Sequence, residues 1–264
     1  HADSARWTFT LYLCGESVTL TDVLQVLQSL GVAVLDEHPY ELDRADGVPC
    51  WAYEFGITLA PGITSDPDGA GDLATRFTAA FGALWRGEAE VDAFNALIVR
   101  CGLDWRAVAI LRACYRYLRQ IGFGYSTGHS ATVLGDERAV TLGLVAVFGA
   151  SFDPDAADED SRAAAVADLR RDIGAVIGLD ADRIVSAFAA VVLAVVRTNV
   201  YVTDRQVPGA VMTFKLDTRD IAQAPQPRPL HEIFVYSPRV EGVHLRFGDV
   251  ARGGLRWSDR REDF

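Results

Sequence analysis

Lysine is almost absent from this sequence, since Lys215 is the only lysine among 25 basic residues. Acidic residues are more numerous, and 36 aspartates and glutamates give a net charge of −11. A nucleic-acid partner is therefore not expected, because phosphates require a basic face. A chain of 264 residues, 50% of them hydrophobic, can build a sizeable core and one or two domains.

Metal-binding and membrane-spanning patterns are also missing. The four cysteines (Cys14, Cys50, Cys101 and Cys114) form no Cys-x-x-Cys pair and the histidines are scattered, so we expect no zinc or iron–sulfur site. The most apolar stretch, residues 184–196, is shorter than the ~20 residues that span a bilayer. No signal-peptide pattern opens the chain. We therefore predict a cytoplasmic protein with no membrane association and with four free thiols.

The first sixty residues alternate in hydrophobicity. Trp7, Phe9 and Leu11 fall on one face of a strand, and a stretch with helical spacing follows Thr19, a good N-cap. Two more alternating stretches are joined by an Asp-Gly turn. We predict strands over residues 7–13, 32–42 and 51–59, with a helix over residues 20–30.

The predicted β-α-β-β order of residues 1–62 is typical of an ACT-like, or ferredoxin-like, α+β unit. Such modules often bind amino acids or build subunit interfaces. The polar face of the predicted sheet carries Thr8, Thr10, Glu54 and Thr58, which do not converge on a pocket. A packed unit without a ligand site is therefore the favoured alternative.

A linker rich in glycine, proline and aspartate precedes a long helical region, residues 63–204. Asp104 is the predicted N-cap of its central helix, which carries Arg112, Arg116 and Arg119 at helical spacing. These arginines could bind an anion, but a solvated or ion-paired face is favoured. We predict helices over about residues 72–85, 90–100, 104–121, 130–150, 159–177 and 181–201.

The pattern changes to strands in residues 205–264, with strands predicted over residues 211–216, 232–237 and 243–247. Beyond them, Gly253 and Gly254 lie between Arg252 and Arg256. We predict a Gly-Gly turn that lets the backbone approach a ligand, flanked by forked guanidinium donors suited to carboxylates. This motif indicates an anionic substrate, although a surface loop would have a similar composition.

Two runs around this motif resemble the large-subunit NAD-dependent glutamate dehydrogenases. They are Ser-Pro-Arg-Val-Glu-Gly-Val-His-Leu-Arg at residues 237–246 and Ala-Arg-Gly-Gly-Leu-Arg-Trp-Ser-Asp-Arg-Arg-Glu-Asp at residues 251–263. The tetrapeptide Phe-Lys-Leu-Asp at residues 214–217 is similar to the first strand of that family's catalytic domain. The resemblance implies an ACT-like unit, a helical region and C-terminal strands that begin an incomplete α/β catalytic domain.

The resemblance also implies a chemistry. The complete enzyme would oxidise L-glutamate with NAD to 2-oxoglutarate and ammonium, as a homo-oligomer. The smaller glutamate dehydrogenases have a Lys-Gly-Gly-Leu-Arg segment whose lysine pairs with a substrate carboxylate. By similarity, Arg252, Gly253, Gly254 and Arg256 would bind the substrate, with Arg252 in the place of that lysine.

The family's catalytic lysine, catalytic aspartate and Gly-rich NAD domain are not expected within these residues, because no Gly-x-Gly-x-x-Gly follows a strand. The sequence starts with His1 and not with methionine, so we expect a fragment of a longer polypeptide. Two interpretations stay open. The chain is either an inactive part of the enzyme that contributes substrate contacts, or a regulatory amino-acid-binding or oligomer-assembly module without a catalytic role.

Overall fold

The computed structural model describes residues 6–15, 17–59, 72–201, 211–221 and 231–239, and the backbone of residues 70–71, 241–247 and 250–257. The fold of this part is α+β, as predicted, with eight strands and eight α-helices. The predicted linker up to residue 69 and the residues beyond Trp257 lie outside it. The strands are β1 (Arg6–Cys14), β2 (Val32–Leu42), β3 (Cys50–Leu59), β4 (Val195–Thr198), β5 (Met212–Leu216), β6 (His231–Tyr236), β7 (Glu241–Phe247) and β8 (Val250–Trp257). The helices are α1 (Leu20–Ser29), α2 (Ala70–Trp85), α3 (Ala96–Cys101), α4 (Trp105–Gln120), α5 (Thr127–Asp136), α6 (Arg138–Phe152), α7 (Glu159–Gly174) and α8 (Leu179–Ala194).

The N-terminal unit is the predicted ACT-like arrangement. Its antiparallel sheet has the order β1-β3-β2, and α1 covers one face. The α1 side chains Val23 and Leu27 are buried with Phe55 of β3. Thr19 caps the helix as predicted, since its hydroxyl accepts from the Asp22 N–H.

The prediction of four free thiols is wrong for one pair. Cys14 lies directly opposite Cys50 in the β1–β3 register, with 4.1 Å between their Cα atoms, and the two form a disulfide. Sequence spacing gives no sign of this pair, because only strand pairing brings residues separated by 36 positions together. Cys101 and Cys114 are free and buried.

The helical region follows the prediction with three differences. The helix predicted at 130–150 is two helices, α5 and α6, separated at Glu137. The helix predicted at 90–100 starts as a 3-10 turn at Ala93, and the last predicted helix ends at Ala194, where β4 begins. Within the described part of the chain, no helix has the length and apolar character needed to cross a membrane.

The second sheet is antiparallel and has the order β4-β5-β6-β7-β8. Helix α4 packs against β6 and β7, and α8 leads directly into β4. Buried residues of both sheets and of the helices form one continuous hydrophobic core. Strands β5 and β6 are therefore held on the helical region by their buried face.

Candidate functional site

The predicted substrate residues lie in strand β8, the edge strand of the second sheet. Arg252, Gly253, Gly254 and Arg256 all fall within its bounds, Val250–Trp257. The expected Gly-Gly turn is therefore wrong, because the two glycines continue a strand that pairs with β7. The motif predicted a turn because adjacent glycines are common in turns. Its pairing as a strand depends on β7, which lies outside the motif.

The glycines lie where the β7–β8 register breaks. His244 pairs with Leu255 and Arg246 pairs with Ala251, so Leu245 alone faces three residues of β8, Arg252 to Gly254. Extra residues on one strand bend it and re-aim its side chains, and such bulges are frequent beside active sites. Glycine tolerates the backbone angles that such a distortion requires. The bulge thus places the predicted motif at an irregular point on an open sheet edge.

A buried ion pair lies on the helical side of this sheet. Arg112 of α4 is 1% exposed, and its Nε and Nη2 donate to the two Asp92 carboxylate oxygens at 2.8 and 2.9 Å. Its Nη2 also donates to Asn95 Oδ1 at 2.7 Å. Burial is the largest single influence and lowers the pKa of Arg112, but the charge and hydrogen bonds of Asp92, together with Tyr236 and Glu90, outweigh it and raise that pKa. Arg112 is therefore a permanent buried cation.

Glu90 joins this ion pair to the second sheet. Its Oε2 accepts from Arg116 Nη2 at 2.5 Å and its Oε1 accepts from the Tyr236 hydroxyl of β6 at 3.1 Å. Asn95 Nδ2 donates to the Glu90 carbonyl at 2.9 Å and to Ser29 Oγ of α1 at 3.2 Å. Burial raises the pKa of Tyr236, so this hydroxyl stays a donor. The cluster therefore connects the ACT-like unit, α4 and β6 by consecutive hydrogen bonds.

A second buried contact ties α4 to the other end of β6. The Tyr117 hydroxyl donates to Glu232 Oε2 at 2.5 Å, and both side chains are 0% exposed. The Tyr117 ring also meets Phe234 edge-on, with 5.6 Å between centroids. A buried carboxylate needs such a donor, because desolvation without a hydrogen bond is costly.

Only part of this cluster could be predicted from the sequence. Arg112 and Arg116 are ion-paired, as the favoured interpretation held, but they are buried or half-buried and not solvated. Glu90, Asp92 and Glu232 gave no signal, since a lone acid beside a predicted helix is usually exposed. Among the described side chains, no three His, Cys, Asp or Glu residues come together to hold a metal ion.

Three family models match the chain in sequence order. The glutamate dehydrogenase ACT3 domain matches residues 1–70, and helical motif 3 of glutamate dehydrogenase matches residues 89–154. The catalytic domain of bacterial NAD-glutamate dehydrogenase matches residues 168–264, which include all of the second sheet.

Relatives at 40–48% identity match along nearly the whole chain. It is 48% identical over 263 residues to the NAD-specific glutamate dehydrogenase of Mycobacterium tuberculosis, which covers 97% of this chain and 16% of that protein. The NAD-specific glutamate dehydrogenases of Halomonas elongata and Pseudomonas aeruginosa are 41% and 40% identical over 96% of this chain, again with 16% of each relative covered. The chain thus spans about one sixth of the length of these relatives.

Proposed function

The chain belongs to the family of the bacterial NAD-glutamate dehydrogenases, and from that membership we propose that it is part of an enzyme that oxidises L-glutamate with NAD and water to 2-oxoglutarate, ammonium and NADH. The observation that carries the proposal is the agreement of three family models, in order, over most of the chain. The three units proposed from the sequence, residues 1–62, 63–204 and 205–264, follow the same order.

In this proposal strand β8 binds the substrate. Arg252 and Arg256 bring positive charge to a dicarboxylate, and Gly253 and Gly254 leave room for it beside the bulge. NAD would accept the hydride. We assign no NAD-binding or catalytic residue to this chain, because it has no Gly-x-Gly-x-x-Gly after a strand and its one lysine, Lys215, lies in β5.

Substitution of Arg252 in the full-length enzyme tests the site. A charge-assisted contact is worth about 1.5–3 kcal/mol, so Arg252→Ala should raise the KM for glutamate at least ~10-fold. The KM for NAD should stay unchanged, because a separate domain would bind the nucleotide. Arg252→Lys distinguishes a forked contact from a simple charge, since lysine keeps the charge but loses the fork.

Arg171→Ala is the matched control, because Arg171 of α7 is largely exposed and pairs with Asp168 on the same helix. It should leave both KM values unchanged. If Arg252→Ala gives the control's kinetics, Arg252 does not bind the substrate and the assignment to β8 fails.

A regulatory or assembly role of the ACT-like unit is the second candidate function. Helix α1 covers one face of its sheet, while the other face exposes Tyr12 and Tyr40, 69% and 49% exposed, on either side of Ala52. An amino-acid effector would raise the melting temperature of the chain, so thermal shift with the free amino acids tests this role. Homo-oligomeric assembly and a cytoplasmic location stay predictions.

A further inference from the structure

The buried end of β6 lies in line with the β8 bulge. In the sheet register, Leu216 of β5 pairs with Glu232 of β6, and Glu232 pairs with Leu245 of β7. Leu245 is the residue that faces Arg252 to Gly254 across the register break. One row of paired residues therefore runs across the sheet, from Glu232, whose carboxylate accepts from Tyr117, to the proposed substrate segment of β8.

Contacts from helix α4 hold this row of residues in place. Tyr117 and Glu232 are fully buried and joined at 2.5 Å, and α4 packs against both β6 and β7. At the far end of the strand, Tyr236 is anchored to Glu90. Two hydrogen bonds four residues apart on the same strand face resist both sliding and tilting of β6. The edge strand β8 has no neighbour on its outer side within the described sheet, so its position depends on β7 and β6.

We propose that Glu232 is a positioning residue for substrate binding. By accepting from Tyr117, its carboxylate sets the depth and register of β6 beneath Leu245, and so the place of the β8 bulge. Catalytic geometry is sensitive to shifts of this kind, because a displacement of about 1 Å can cost ~100-fold in rate. The inference rests on the proposed function, since it assumes that β8 binds the substrate.

Tyr117→Phe in the full-length enzyme tests the inference. The substitution removes only the hydroxyl and keeps the ring against Phe234. The KM for glutamate should rise at least about fivefold, the factor that a hydrogen bond of ordinary strength represents in an equilibrium, while the KM for NAD should not change. Glu232→Leu removes the acceptor of this hydrogen bond, so it should also raise the KM for glutamate. The double variant should be no worse than the poorer single variant, because both remove one interaction.

Tyr115→Phe is the matched control. Tyr115 is also buried on α4, but its hydroxyl donates to the Tyr125 carbonyl at 3.1 Å, within the helical region. The Tyr115 hydroxyl also accepts from Thr127 Oγ1 at 3.2 Å. Tyr115→Phe should lower the melting temperature and leave the glutamate KM within about twofold, because neither of its hydrogen bonds reaches the sheet. If Tyr117→Phe and Glu232→Leu lower the melting temperature but leave the glutamate KM like the control, the role of Tyr117 and Glu232 is only structural and the inference is overturned. Arg252→Ala distinguishes a failure of this inference from a failure of the proposed function. If the KM for glutamate is unchanged in that variant, the assignment of substrate binding to β8 fails.

Discussion

Arg112 donates two parallel hydrogen bonds to the Asp92 carboxylate within the helical region, and its guanidinium is almost completely buried. Asp92 also accepts from the Phe94 N–H at 3.0 Å, where the 3-10 turn before α3 begins. One carboxylate thus starts a helical segment and neutralises a cation on α4.

We predict that Arg112→Met destabilises the protein by about 3–5 kcal/mol, because it leaves the Asp92 carboxylate without its counter-charge. Urea unfolding measures this change. The control is Arg171→Met, whose pair with Asp168 is largely exposed and should be worth less than about 1 kcal/mol. Equal effects of the two substitutions would show that the buried pair adds nothing beyond a surface pair.

Substitution of Gly31 tests the contact between the ACT-like unit and helix α3. Its φ is +81°, and a Cβ there would lie 3.1 Å from Ala96 Cβ of α3. Gly31→Ala should cost about 2 kcal/mol, since a left-handed backbone alone costs roughly 1–2 kcal/mol for other residues. Gly124→Ala is the control, because open space surrounds that position and its φ is not left-handed. A difference of less than about 0.5 kcal/mol between the two variants would contradict the tight contact with Ala96.

The two free thiols, Cys101 and Cys114, should be unreactive toward thiol reagents in the native protein. Burial raises the pKa of Cys101 to about 11 and that of Cys114 to about 12, against 9.0 for an exposed thiol. A thiol-specific reagent at pH 8 should therefore react with neither, and unfolding without a reductant should release these two free thiols. Reaction of more than two would mean that Cys14 and Cys50 are not joined.

The same shifts predict a loss of stability in alkali. Because the folded-state pKa values lie above the unfolded one, the stabilisation is fully present below pH 9.0 and is lost as the pH rises through about 11 to 12. Urea unfolding at several pH values measures this slope. A Cys101→Ala, Cys114→Ala variant should lose less stability than the parent between pH 9 and 11. Parallel curves would show that these thiols do not contribute.

The 264-residue chain alone should form no NADH from glutamate and NAD, because we assign it no catalytic lysine and no dinucleotide site. Absorbance at the NADH band over several hours is the measurement, with a full-length relative as the positive control. Turnover that co-purifies with the folded chain would place catalytic groups within these residues.

Local patterns predicted most elements, and the exceptions have tertiary causes. The apolar periodicity continues through residues 130–150, but Arg100 of α3 donates to the Thr132 carbonyl at 3.3 Å and to Asp136 at 2.5 Å, where α5 ends. Thr141 then donates to the Leu134 carbonyl at 2.6 Å. These contacts engage two backbone carbonyls near the end of α5 and the Asp136 carboxylate from outside the helix, which no local pattern reveals.

Strand pairing explains the other differences. Val195 leaves the helical pattern because it pairs with Leu216, a residue far outside the window that a local pattern covers. Residues 250–257 likewise form a strand because they pair with β7. The motif itself could be identified from the sequence by resemblance, whereas the proposed role of Glu232 could not, since that role depends on its partner on α4 and its place in the sheet register.

The shared core has a consequence for exchanging parts between relatives. Phe9 of β1 packs on Phe77 and Phe81 of α2, with ring centroids 5.7 and 4.7 Å apart, so aromatic packing crosses the boundary drawn at residue 62. A chimaera joined there would combine a ring from one parent with two rings from another. Crossover points placed after Trp85 would keep the three rings together, and the ACT-like unit would be inherited with α2 as a single packing module.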